Sequence, residues 1–246
     1  MLGHAFEVAE NLLVEGDEDL LKKIISQRKL VDRDAIFRAV STAYSNVDRL
    51  SALWNPGRGE IAKSYDEKVK SGFFRKYFNG DTVLDVGYAN DDNPLRLAVV
   101  KHAICVDWGT PGMDRNALPY ADESVDTISS SHLIEMIKYP HSTIREWFRV
   151  LKVGGFLVCV APHQYLYEKR KFLPSAFNPY HAQLFTPAKL LRLFEEALEP
   201  NSYRLRHMQD NDRNYDYSLG PDKHSAGCYE FEVVIEKITK PTWDLT

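Results

Sequence analysis

The 246-residue sequence lacks a long apolar run, an excess of basic residues and a paired-cysteine motif. No apolar stretch approaches the roughly 20 residues needed to span a bilayer, so we expect no membrane span. The net charge of −4 gives no global electrostatic reason to bind nucleic acid, whose phosphates attract basic surfaces. The acidic start of the sequence also lacks the basic residues and apolar centre of a signal peptide.

The three cysteines form no CxxC pair that would suggest zinc. Cys105, Cys159 and Cys228 each lie in an apolar run that resembles a strand. An odd number of thiols in such runs is typical of reduced core cysteines. We therefore predict a cytoplasmic protein and no metal site.

Two regions differ in their hydrophobic pattern. Residues 1–58 place apolar side chains at helical spacing and predict a helical cap or extension. The stretch Asn55–Gly59 breaks this pattern and predicts a boundary to a domain over residues 59–246. A helix is predicted over Glu60–Tyr77, ended by the capping signal Asn79-Gly80.

From Asp81 onwards, strand-like apolar runs alternate with helical stretches. The predicted strands are Thr82–Val86, Ala103–Asp107, Val125–Ser130, Phe156–Ala161, Tyr203–Met208 and Tyr229–Glu236. The predicted helices between them include His141–Leu151 and Pro187–Ala197. Such alternation predicts an α/β fold with a mostly parallel sheet and helices on both faces.

The first strand, its turn at Gly87 and the acid that ends the second strand are the most informative features. Asp107 follows the turn by about 20 residues, the spacing at which nucleoside-binding units place a carboxylate on ribose hydroxyls. Glycine allows the chain to turn sharply and a ligand to approach closely. The Asp85 carboxylate could bind a cationic group, fix backbone amides or merely cap the turn.

The loop after Gly87 holds none of the further glycines of a GxGxxG dinucleotide site. Asn90, Asp91 and Asp92 follow instead, and their acids would repel a pyrophosphate. This loop disfavours NAD, FAD and ATP but tolerates a cofactor with a cationic amino-acid end. Trp108 is either an aromatic wall for a purine or a core residue.

Five segments in order carry a resemblance to a known family: VLDVGYAND, ICVDWG, LPYADESVDTI, SSHLIEM and EWFRVLKVGGFLVCVAP. Over about Glu60–Pro162 the sequence closely resembles the class I S-adenosylmethionine-dependent methyltransferases. The resemblance implies a Rossmann-like, doubly wound, mostly parallel sheet of six to seven strands. It also implies S-adenosyl-L-methionine as the cofactor.

The resemblance assigns roles to individual residues. Asp85, Gly87 and the adjacent Tyr88 match the turn that approaches the methionine part of the cofactor. Asp107 matches the acid that holds the ribose hydroxyls, with Trp108 beside it.

Later positions of the pattern match the adenine and methyl-transfer sites. Asp114, with Arg115 beside it, matches the acid that contacts the adenine. Ser131, His132 and Glu135 match the segment that lines the methyl-transfer site.

Three departures from the family pattern matter. Ala89 and Asp91 replace common glycines, and Met136 replaces a frequent histidine. Only six residues separate Asp107 from Asp114, too few for the usual helix and strand, so the sheet is expected to be one strand short there.

Methylation of a hydroxyl requires an aligned nucleophile and a base, and an imidazole suits the second role. The candidates, in order, are His163, His132 and His181. His163 follows a predicted strand, and His181 lies in an insertion around residues 163–186 that is expected to cover the substrate. Each could instead be a structural histidine, and their spacing is too wide for a compact metal site.

The acceptor is less constrained than the cofactor. Residues 165–217 are rich in tyrosine and arginine, which suits a polyhydroxylated or phosphorylated ligand. Glu146–Lys152 and Pro162-His163 resemble methyltransferases of surface-polysaccharide and sugar-nucleotide pathways, so we predict O-methylation of a sugar, sugar nucleotide or glycan end. The alternatives are a small aromatic, lipid or amine acceptor, a non-catalytic binding module, and RNA, which the acidic balance disfavours. The sequence is also compatible with a homodimer.

Overall fold

A computed structural model describes residues 61–87, 99–100, 102–106 and 117–243. The predicted helical cap over residues 1–58 lies outside this part of the chain. Five predicted cofactor residues also lie outside the described residues: Tyr88, Asp107, Trp108, Asp114 and Arg115.

The described residues contain one six-stranded sheet. Its strands are β1 (Val83–Val86), β2 (Ile104–Val106), β3 (Val125–Ser131), β4 (Leu151–Pro162), β5 (Tyr203–Asn211) and β6 (Glu230–Lys237). They are ordered β2-β1-β3-β4-β6-β5, with β1 to β4 parallel and β6 antiparallel to both of its neighbours. The predicted α/β fold with a mostly parallel sheet is confirmed.

Helices cover both faces of the sheet. They are α1 (Ile61–Lys70), α2 (Phe73–Tyr77), α3 (Pro140–Val150) and α4 (Pro187–Ala197). Apolar residues of α3 and α4 pack on one face, and the aromatic residues of α1 and α2 pack on the other. None of the helices in the described ranges combines the length and apolarity needed to cross a membrane.

The prediction of one helix over Glu60–Tyr77 is wrong. The helix breaks at Gly72, whose φ of 73° lies in the left-handed region. This break starts a new helical turn at Phe73 and directs Phe73, Phe74 and Tyr77 into the core. Because helices often tolerate a single glycine, the presence of Gly72 in the sequence did not predict the break.

The strand predicted over Phe156–Ala161 begins five residues earlier, at Leu151. Gly154 and Gly155 therefore lie within β4, at a shift in its register with β3. A Cβ on Gly155 would lie 2.8 Å from the Asp126 carbonyl oxygen, so this close approach requires glycine.

The fold brings several chain segments to one edge of the sheet. The carboxyl ends of parallel strands meet at the same edge, where ligands bind in open α/β sheets. Gly87 follows β1 there, His132 follows β3 and His163 follows β4. Because β6 runs the other way, its first residue, Glu230, reaches the same edge.

Candidate active site

The turn after β1 is shaped for glycine. Gly87 has a φ of 84°, and its N–H donates to the Val106 carbonyl at 2.9 Å. A Cβ at Gly87 would lie only 2.7 Å from Cδ2 of Leu133, in the segment after β3. The turn predicted to approach the cofactor thus packs against the segment predicted to line the methyl-transfer site.

Asp85 fixes the backbone beyond the turn. Its buried carboxylate accepts a hydrogen bond from the Val99 N–H at 2.8 Å. Burial raises the pKa of Asp85 to about 6, although hydrogen bonds from Val99 and the Ser129 side chain act in the opposite direction. Of the roles considered from sequence, the structure supports the fixing of a backbone amide.

The end of β3 presents Ser131 and His132. The buried Ser131 hydroxyl has no hydrogen-bond partner among the described residues. His132 adopts a φ of 51°, which is uncommon for a residue other than glycine, and its N–H donates to the Val160 carbonyl at 2.9 Å. Its Nε2 lies 3.0 Å from Oε2 of Glu230.

The His132–Glu230 pair combines an accessible ring with an inaccessible carboxylate. The His132 side chain is 19% exposed, whereas that of Glu230 is 2% exposed. A buried carboxylate orients an imidazole and stabilises the imidazolium that forms when the ring accepts a proton. This pair therefore has the geometry of a positioned general base.

A buried polar network holds Glu230 in place. The Lys68 Nζ, on α1, lies 3.0 Å from Oε1 of Glu230 and 2.9 Å from Oε1 of Glu232. Asn211 donates to Glu230 at 3.3 Å, and Glu232 Oε2 is 3.1 Å from Nε2 of His207. The network links α1, β5 and β6 beneath the candidate base.

Electrostatics within this network keep Glu230 ionised. Burial raises the pKa of Glu230, but Lys68 and His132 outweigh it and hold the pKa well below its ordinary value. For Lys68, burial lowers the pKa of the ammonium, but Glu230 and Glu232 leave it above its ordinary value. Within the part of the chain that the structure describes, Lys68 thus places one ammonium between the carboxylates of Glu230 and Glu232.

His181 is buried between two carboxylates. Its Nδ1 is 2.6 Å from Oε1 of Glu168, and its Nε2 is 3.8 Å from Oε1 of Glu135. Both Glu135 carboxylate oxygens lack a hydrogen-bond partner among the described residues. Burial raises the pKa of Glu135, against the opposing effect of His132. His181 thus links the insertion to the segment after β3.

Backbone contacts fasten the insertion at the same place. The N–H groups of Ala182 and Gln183 donate to the Glu135 carbonyl at 2.8 and 2.9 Å. The Tyr167 ring lies 5.3 Å from the His181 ring and 5.0 Å from that of Tyr229, measured between centroids. The insertion therefore brings aromatic faces close to the carboxyl ends of the strands.

His163 lies apart from the His132–Glu230 pair. Its Nε2 is 3.6 Å from Oδ1 of Asp210, and its ring meets Phe231 edge-on at 6.0 Å between centroids. Phe231 belongs to the core beneath α3 and α4, whereas Glu230 contacts α1. His163 and His132 therefore approach opposite faces of the sheet. Burial lowers the pKa of His163, with Asp210 acting in the opposite direction.

Arg149, in the last turn of α3, holds the chain that precedes β3. Its guanidinium donates to the carbonyls of Leu118 and Tyr120, at 3.3 and 3.1 Å. Glu146, on the same helix, accepts from the Leu118 N–H at 2.7 Å. These bonds fix the chain that follows Asp114 and Arg115.

The described thiols and acidic groups show no metal-binding arrangement. Cys159 and Cys228 are buried and unpaired, and burial raises the pKa of both thiols. No group of three or more potential ligands is positioned to hold a metal ion in the described ranges. The absence of a metal from the whole protein stays a prediction.

Comparison with known proteins finds a family model that matches the middle of the chain. Residues 84–159 match a model described as a methyltransferase domain. The matched segment runs from β1 into β4 and includes Asp85, Gly87, Ser131 and His132. The family comparison and the geometry therefore converge on the same edge of the sheet.

Individual relatives extend the match only in part. An uncharacterized methyltransferase of Mycobacterium marinum is 33% identical over 44% of this chain and 44% of its own length. A Mycolicibacterium smegmatis protein, named a probable S-adenosylmethionine-dependent methyltransferase, is 31% identical over 32% of this chain and 30% of its own length. This chain thus spans less than half of these curated relatives. A solved S-adenosylmethionine-dependent methyltransferase from Aquifex aeolicus has 19% identity and a TM-score of 0.45, covering 78% of this chain and 98% of its own.

Proposed function

We propose that this protein is an S-adenosylmethionine-dependent methyltransferase that O-methylates a sugar, sugar nucleotide or glycan end. The proposal depends chiefly on one observation: the Gly87 turn contacts Leu133, directly beside the His132–Glu230 pair. A cofactor turn and a positioned base are thereby held next to each other, as transfer of a methyl group to a hydroxyl requires.

Two features of the described residues fit the cofactor. Gly87 has a φ of 84° and no Cβ, so the chain can turn sharply and a ligand can approach its backbone. The Ser131 hydroxyl, at the end of β3, has no hydrogen-bond partner among the described residues. We assign cofactor contacts to Asp85, Gly87, Tyr88, Asp107, Trp108, Asp114, Arg115 and Ser131. Asp85 acts by fixing the loop, and Asp107 is the ribose acid. When bound, S-adenosylmethionine would supply the electrophilic methyl group.

His132 is the base that the geometry favours over His163 and His181. It removes the proton from the acceptor hydroxyl, while Glu230 orients the ring and stabilises the resulting imidazolium. His181 is nearly inaccessible between its two carboxylates, and His163 faces the other side of the sheet. We therefore place His132 first and keep His163 as the second candidate.

Aromatic residues support a sugar acceptor. Tyr180 is exposed beside His181, and Tyr167 packs near His181. Exposed tyrosine rings offer stacking faces and hydroxyl groups, which polyhydroxylated ligands use. The same rings could also stack on a small aromatic acceptor, and the acceptor screen distinguishes the two.

Calorimetry and an acceptor screen test the proposal. We expect S-adenosylmethionine and S-adenosylhomocysteine to bind, and methyl transfer to favour sugars and sugar nucleotides over phenols and amines. Absence of binding by both cofactor forms would refute the enzyme class. Binding without transfer to any acceptor would favour a binding module, and preferred transfer to a phenol or amine would replace the sugar assignment.

Substitution of histidines tests the base. His132→Ala should lower kcat by about 10²- to 10⁴-fold and leave the affinity for S-adenosylhomocysteine unchanged. His141→Ala, an accessible histidine of α3, is the matched control and should keep its activity. In Glu230→Gln, the acidic limb of the pH–rate profile should move to lower pH because the imidazolium loses its carboxylate. Full activity in His132→Ala with a loss in His163→Ala would reverse the assignment.

We also propose a cytoplasmic location, which the unpaired, buried thiols of Cys159 and Cys228 support. A homodimer remains a prediction, and light scattering on the purified protein measures it.

A further inference from the structure

We infer that a cavity between the insertion and helices α3 and α4 binds a small molecule with a phosphate group on an apolar body. The cavity measures about 520 Å³, within the range of small-ligand sites. None of the described residues assigned to the cofactor or to the base lines it. It is therefore a second site, and its occupancy does not depend on the proposed methyl transfer.

Positive charge dominates the lining. Lys138, Lys171, Lys189 and Arg192 face the cavity, although the whole chain has a net charge of −4. The lining contains one carboxylate, Glu196, whose Oε2 is 3.1 Å from Nε2 of His141. Four cations against a single acid favour an anionic ligand.

The cations differ in how they are held. The Lys189 ammonium donates to the Gln164 side chain at 2.6 Å and to the Leu184 carbonyl at 3.1 Å. These bonds fix its position and leave a third N–H for a ligand. The side chains of Lys171 and Arg192 form no hydrogen bond or ion pair with the described residues. A planar guanidinium beside ammonium groups suits the oxygens of a phosphate.

Two exposed aromatic rings indicate the apolar part of the ligand. Tyr139 is 71% exposed and Phe172 is 79% exposed, although both line the cavity. The Lys138 Nζ lies 5.3 Å from the centroid of the Tyr139 ring. The aromatic rings would bind a flat apolar part of the ligand, and the lysines and Arg192 beside them would bind its phosphate group.

Calorimetry of the full chain without a methyl donor tests this site with three probes: phenyl phosphate, inorganic phosphate and benzyl alcohol. We expect phenyl phosphate to bind at least about tenfold more tightly than either of the other two, because it alone engages both parts of the site. The double variant Lys171→Gln/Arg192→Gln should weaken its binding by about tenfold or more. Phe172→Ala should weaken phenyl phosphate but leave inorganic phosphate unchanged.

Arg145→Gln is the matched control, because Arg145 is an exposed arginine of α3 that does not line the cavity. It should change the affinity less than about twofold. Equal losses in Arg145→Gln and in the double variant would overturn the site, as would the absence of saturable binding of phenyl phosphate. If inorganic phosphate binds as tightly as phenyl phosphate, the proposed contact of the aromatic rings with an apolar group is refuted. Thermal unfolding monitors folding of the variants, and Lys171→Gln alone repeats the test should the double variant be unstable.

Discussion

The buried Lys68 should be essential for stability. Lys68→Met preserves most of the side chain's length but removes the ammonium that Glu230 and Glu232 share. Removing one partner from a buried ion pair costs about 3–5 kcal/mol, because the remaining charge is left uncompensated. We therefore expect a loss of about 3 kcal/mol in the free energy of unfolding at pH 7.

The effect should depend on pH with a definite sign. In the native protein, Lys68 holds the pKa of Glu230 below its ordinary value. The stability contributed by this carboxylate is present above about pH 4 and is lost as the pH falls through the folded-state pKa. In the variant, burial without the cation raises the pKa of the carboxylates, so protonation relieves the repulsion. The loss caused by Lys68→Met should therefore shrink between pH 7 and pH 5.

Urea unfolding followed by circular dichroism at both pH values measures this effect. Lys70→Met is the control, because Lys70 is an exposed lysine two residues further along α1. Its change should be within about 0.5 kcal/mol, as is usual for surface substitutions. A loss below about 1 kcal/mol for Lys68→Met at pH 7 would refute the reasoning. An equal loss at pH 5 and pH 7 would refute its electrostatic part.

Further predictions concern three residues near this edge of the sheet: Gly87, Asp85 and His181. In urea unfolding, Gly87→Ala should destabilise the protein by about 1–3 kcal/mol more than the control Gly154→Ala. Both glycines have a φ of 84°, but only Gly87 lacks space for a Cβ. Equal losses of stability in the two variants would contradict this. Asp85→Ala should weaken S-adenosylhomocysteine binding, because the Val99 N–H loses its hydrogen-bond acceptor. A native affinity measured by calorimetry would contradict this. Since burial raises the pKa of Asp85 to about 6, its ionisation lowers stability as the pH rises from about 4 to 6, and Asp85→Asn should flatten that part of the stability–pH curve. His181→Ala should expose the insertion to trypsin, and unchanged cleavage would exclude His181 as its anchor.

Local signals in the sequence were sufficient for much of the fold. The helix predicted over Pro187–Ala197 occupies those residues as α4, because Thr186 caps its start and its apolar residues recur at helical spacing. The turn at Gly87 was predictable because a glycine follows a β-branched run, and its φ of 84° lies in the region that favours glycine. The sequence was insufficient at Gly72 and Gly154. Gly72 breaks a helix and Gly154 lies within a strand, but the local sequence around a single glycine does not distinguish these structures.

The sequence alone determined the fold class, the turn at Gly87 and a set of candidate histidines, because these depend on periodicity, spacing and residue type. Only the tertiary structure decided which candidate histidine combines a partly exposed ring with a buried carboxylate as its partner. His132 and Glu230 are 98 positions apart, and Lys68 is 162 positions from Glu230. Antiparallel pairing of β6 with β4 brings Glu230 to the end of β3, and packing of α1 supplies its cation. Such contacts depend on how distant elements pack, which no local pattern of residues encodes.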